Sequence, residues 1–95
     1  MGKYNWVRVT GDQVLSLHPV SLGAVIVTPD AGERGLVTLY DGESADDPRL
    51  ISIATGAGTT KVVNINPVMV THRGLYIDVG DNVTEALVYF FSGKE

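Results

Sequence analysis

Cysteine is absent from this chain of 95 residues. That excludes a disulfide framework and thiolate metal ligation. It also fits a cytosolic or virion setting better than that of a small secreted domain. No apolar run approaches the roughly 20 residues of a membrane-spanning helix. The opening MGKYNWVRV lacks the continuous apolar segment and small-residue cleavage site of a signal peptide. Met1-Gly2 starts like a myristoylation motif, but Trp6 stands where that motif needs Ser or Thr. Basic residues are few and scattered. Lys3, Arg8, Arg34, Arg49, Lys61, Arg73 and Lys94 include no adjacent pair, and 11 acidic residues leave a net charge of −4. An acidic chain with no basic run is expected not to bind nucleic acid, and without an apolar span or lipidation motif no membrane contact is expected.

What is present is β-rich. Short apolar or β-branched runs alternate with turn clusters along the whole length. The runs are Trp6–Thr10, Val14–Leu17, Leu22–Thr28, Leu36–Tyr40, Leu50–Ala54, Lys61–Ile65, Val68–Thr71, Leu75–Val79 and Ala86–Phe91. Between them lie Gly11-Asp12, His18-Pro19, the segment from Pro29 to Gly35, the polar stretch DGESADDPR, the loop TGAGTT, Asn66-Pro67, Arg73-Gly74 and Gly80-Asp81-Asn82. The stretch from Gly23 to Gly42 reads as a hairpin, and TGAGTT as a glycine-rich hairpin turn. The predicted fold is an all-β antiparallel sandwich, jelly-roll-like, of eight or nine short strands. Residues 1–95 form one domain, with 1–5 as an extended N-terminal arm. A chain of this length buries only roughly 60–65% of its unfolded surface, enough for one thin core.

Three runs are nearly continuous in apolar character: Ala24–Val27, Leu50–Ile51 and Ala86–Phe91. Strands of that kind offer apolar groups on both faces. In so small a protein the second face is expected to need a neighbouring chain.

Candidate chemistry is sparse. His18 and His72 each sit at a turn, too few and too far apart for a zinc site. Asp41, Glu43, Asp46 and Asp47 offer oxygen ligands to calcium, but their spacing is not that of an EF-hand loop. The alternative is a solvated loop that discourages edge pairing. Thr55–Lys61 has the glycines of a phosphate loop in the wrong order, before a strand and not a helix. No nucleophile elbow is present. The expectation is therefore a non-enzyme without metal or cofactor. Among the aromatics, Tyr4 and Trp6 lie outside the densest apolar region and suit a partner contact.

The run GAVIVTPDAGERGLVTLYDGESADDPRLISIATGAG resembles small structural proteins of tailed bacteriophages. In those a glycine-initiated β strand ending in proline turns into a second strand ending in Tyr-Asp or Trp-Asp. Gly23, Val25, Val27 and Pro29 match the first part, and Val37, Leu39, Tyr40 and Asp41 the second. The segment from Gly74 to Gly80 and then Ala86 to Phe90 resembles the usual ending of such chains. The acidic Glu43–Asp47 insert is longer than in that pattern. The resemblance implies a virion accessory protein of the head decoration (cement) kind, which binds the major capsid protein across subunit seams and stabilises the shell. It is expected on the capsid surface of the virion after synthesis in the host cytoplasm. Self-association as a trimer would match a local threefold axis. Gly2, Lys3, Tyr4, Asn5 and Trp6 are the candidate interaction residues, laid along a capsid neighbour or completing its sheet edge. The alternative function is a tail- or fibre-associated adhesion module that binds a host-surface glycan.

Overall fold

A computed structural model describes residues 4–92. Eight strands follow one another: β1 (Tyr4–Val9), β2 (Gln13–Ser16), β3 (Val20–Pro29), β4 (Leu36–Tyr40), β5 (Arg49–Ala54), β6 (Lys61–Val70), β7 (Leu75–Val79) and β8 (Val83–Ser92). They form two four-stranded sheets, β1-β8-β3-β6 (sheet A) and β2-β7-β4-β5 (sheet B). Every paired neighbour is antiparallel. The two sheets pack as a β-sandwich around one apolar cluster.

Alternation along each strand decides what enters that cluster, because successive side chains on a pleat point to opposite faces. From β3 come Leu22, Val25 and Val27, and from β8 come Ala86, Val88 and Phe90. Sheet B answers with Val37 and Leu39 of β4 and Leu75 and Ile77 of β7. Register aligns these residues, with Val25 opposite Val88 and Leu39 opposite Ile77. Gly23 interrupts the alternation of β3: the register of both β3 pairings shifts between Leu22 and Ala24.

That shift accounts for one departure from the sequence reading. Lys61–Ile65 and Val68–Thr71 were expected as separate strands around Asn66-Pro67, yet Lys61–Val70 is one strand. Met69 pairs with Leu22 and Asn64 with Ala24, so the intervening residues bulge out opposite Gly23. A proline without a backbone donor is tolerated there because the strand is at the edge and the ladder is already broken.

A second departure concerns the turns. The stretch from Gly23 to Gly42 is not a hairpin, since β3 lies in sheet A and β4 in sheet B. TGAGTT likewise carries the chain from β5 in sheet B to β6 in sheet A. Both segments reverse the chain as their glycines predict, but across the sandwich. The two arches instead bind each other. Gly58 N donates to Glu33 O (2.8 Å) and Thr55 N to Gly35 O (2.9 Å), while Gly35 N donates to Thr55 Oγ1 (2.9 Å). Gly58 has φ +63°, and a Cβ there would lie 3.0 Å from the Gly32 nitrogen, so a side chain would be strained and crowded at once. Among the described residues, the one direct connection between paired strands is β4 to β5, through the acidic loop.

Candidate interaction face

The outer surface of sheet A is built from the residues that alternate with the core. Two rungs cross all four strands. One runs Trp6, Tyr89, Ala24, Asn64 and the next Arg8, Leu87, Ile26, Val62. Apolar side chains fill five of these eight positions, and Tyr89 adds a ring with a polar tip. Trp6 is 58% exposed and Val62 54% exposed at opposite margins. Val70, one rung beyond, is 58% exposed. The small side chains at Gly23 and Ala24 leave a hollow of about 220 Å³, walled by Asn64 and Tyr89. Charge on this face is balanced, because Arg8 Nε meets Glu85 Oε1 at 3.1 Å.

Sheet B presents a different surface. Thr38 and Ser52 join their hydroxyls at 3.2 Å. Tyr40 and Tyr76 lie side by side, ring centroids 6.1 Å apart and tilted by 51°. Asp12 Oδ1 accepts the Val79 amide at 2.7 Å. Burial raises the pKa of the Asp78 carboxyl above its ordinary value; the charge of Asp12 and a hydrogen bond between the two add to the shift. Burial likewise raises the Tyr76 phenol, followed by repulsion from Asp12, Asp78 and Tyr40.

The acidic loop has a structural role. Asp41 is buried at the end of β4, and its carboxylate accepts the backbone amides of His72 (2.9 Å to Oδ2), Arg73 (2.8 Å to Oδ1) and Gly74 (3.3 Å to Oδ1). Burial opposes its charge, but these amides and the nearby His72 outweigh it and lower the pKa. Asp47 Oδ2 accepts the amide of Glu43 at 2.7 Å, and its Oδ1 meets Arg73 Nη1 at 2.7 Å. Gly42 has φ +156°, and a Cβ at that position would overlap the Asp47 carboxylate. The loop is thus folded onto the β6–β7 turn and joined to it by Asp41 and Arg73. Glu43 and Asp46 remain exposed. Among the described residues, no three His, Cys, Asp or Glu side chains are grouped to hold a metal ion. His18 closes a local turn with Ser16, whose hydroxyl donates to the His18 carbonyl at 2.8 Å.

Of the sequence-derived candidates, Trp6 stands on the apolar face. Tyr4 and Asn5 belong to β1 and pair with Phe91 and Phe90. Gly2 and Lys3 lie outside the described residues, as does most of the expected arm. The sequence does not single out Leu87 and Ile26 as the outward residues of their runs, nor Asp41 as a staple. The continuous runs Ala24–Val27 and Ala86–Phe91 carried the first signal. The Asp41 bonds span more than 30 residues of chain and have no local signature. No protein-family model, curated protein or solved structure matches this chain.

Proposed function

We propose that this protein is a non-enzymatic phage virion component that decorates and stabilises the capsid by binding across seams between major capsid protein subunits. The observation that carries the reading is the apolar, charge-balanced outer face of sheet A. Burying such a face adds binding free energy to the assembled shell alone, and so shifts the equilibrium towards it. Exposed acidic residues such as Asp12, Glu43 and Asp46 lie beside sheet B and in the loops, which would turn to solvent in the bound state. The nested pairing of β1 with β8, β2 with β7, β3 with β6 and β4 with β5 supports a jelly-roll form of the sandwich. The test is a binding isotherm on purified heads that lack the protein. Saturable binding and a higher heat-failure temperature of the loaded heads are expected. Heads that neither bind nor gain heat resistance would end the proposal.

A second reading, the adhesion module, draws on sheet B. The Tyr40–Tyr76 pair beside Thr38, Ser52 and Asp78 combines aromatic surface with hydrogen-bonding groups, as glycan contacts require. Binding to host-surface glycans but not to heads would favour it.

A further inference from the structure

Four strands end the two sheets, and three of them are guarded. β6 carries Pro67 and the bulge opposite Gly23. β2 has four residues and a register shift between Val14 and Ser16. β5 begins with Arg49 directly after Pro48, and its register shifts opposite Leu39 and Tyr40. Prolines, bulges and shortness are the devices that stop one sheet edge from pairing with another. β1 has none of them. It runs for six residues without proline, and its register to β8 is unbroken from Tyr4–Phe91 to Val9–Ala86. Its single charge, Arg8, is already met by Glu85.

We infer that the β1 edge pairs with β1 of a second copy, antiparallel about a twofold axis, joining two copies of sheet A into one eight-stranded sheet. The residues narrow the register. Opposed residues in an antiparallel pair share a face, so only registers that keep core positions opposite core positions are open. Arg8 against Arg8 would oppose like charges. With Val7 opposite Val7, each exposed Trp6 instead lies across from the mate's Arg8. That pairing sets a cation against an aromatic ring on both sides of the axis. It leaves Asn5 opposite Val9. Five rungs in this register exchange roughly four to six backbone hydrogen bonds. The two apolar outer faces become one continuous surface.

This inference stands apart from capsid binding, and its test uses the isolated full-length chain. Sedimentation equilibrium is expected to show a reversible dimer whose population rises with concentration. Because the chain has no cysteine, a single introduced thiol reports contact between copies alone. Val7→Cys is expected to cross-link on mild oxidation, and Val62→Cys, on the far edge strand, is not. Trp6→Arg is expected to weaken the dimer by about tenfold or more, since it opposes two cations, while Trp6→Phe retains it. Circular dichroism checks that each variant is folded; should Trp6→Arg fail to fold, the cysteine pair decides alone. A monomer at every concentration would overturn the inference. So would cross-linking through Val62→Cys but not Val7→Cys, or a folded Trp6→Arg variant with unchanged dimer affinity.

Discussion

The outer faces of the two sheets share a pleat and a strand count but differ in chemistry. Sheet A carries exposed Trp6 and Val62 and half-buried Ile26 and Leu87, with the Arg8–Glu85 ion pair among them. Sheet B carries Thr38, Ser52, Tyr40, Tyr76 and a pair of aspartates. Both sheets bury their inner faces in the same core, so the demands of folding do not account for the difference. An antiparallel sheet with one wet face needs polar groups on that face. Sheet B follows the rule apart from the exposed Val14 and Leu36, whereas sheet A departs from it along two whole rungs. The proposed capsid contact rests on that departure.

The contrast is breakable by charge. Ile26→Glu or Leu87→Glu is expected to weaken binding to heads about 100-fold, because an unpaired carboxylate would be buried at the centre of the contact. Thr38→Glu or Ser52→Glu is expected to leave that binding unchanged. Equal losses from both faces, read from the isotherms, would erase the distinction.

The scaffold beneath both faces rests on Asp41. Asp41→Ala strands three backbone amides and is expected to cost about 2–3 kcal/mol in urea unfolding. The folded-state pKa of Asp41 is lowered, so its stabilisation is present above the ordinary aspartate pKa. It is lost as pH falls through the folded value. Unfolding measured across acidic pH is expected to show the parent approaching the variant at the acid end.

A smaller effect of opposite sign belongs to sheet B. The folded pKa of Asp78 is raised, so its contribution is favourable below the ordinary aspartate pKa and is lost as pH rises through the folded value. Asp78→Asn is therefore expected to be the more stable protein at neutral pH, with the gain fading in acid. The smallest change is Arg8→Ala. Its ion pair with Glu85 is largely exposed, and chemical unfolding is expected to shift by less than about 1 kcal/mol.

Strand positions were legible because β-branched runs and turn residues punctuate the chain locally. The partners of those strands were not. Pro29, Gly32 and Gly35 announce that the chain reverses between β3 and β4, yet a reversal within a sheet and one between sheets use the same residues. Only the competition for neighbours decides: β3 is taken by β8 and β6, and β4 by β7 and β5. The apolar face was partly legible, since Ala24–Val27 and Ala86–Phe91 lack the alternation of a half-wet strand. Its location required the register that sets Leu87 beside Ile26. The acidic loop was half legible for a related reason. Charge density pointed to solvent, which Glu43 and Asp46 meet, while Asp41 and Asp47 serve amides that composition does not reveal.

The nested pairing has a kinetic consequence. Among the described residues, β4 and β5 are the only strands that neighbour each other both in a sheet and in the chain. Once that pair forms, β3 and β6 are brought near each other, and then β2 and β7, and finally β1 and β8. Each pairing shortens the loop that the next must close, which lowers its entropic cost. Folding from the inside outward would complete β1, with Trp6 on it, as the last strand to join.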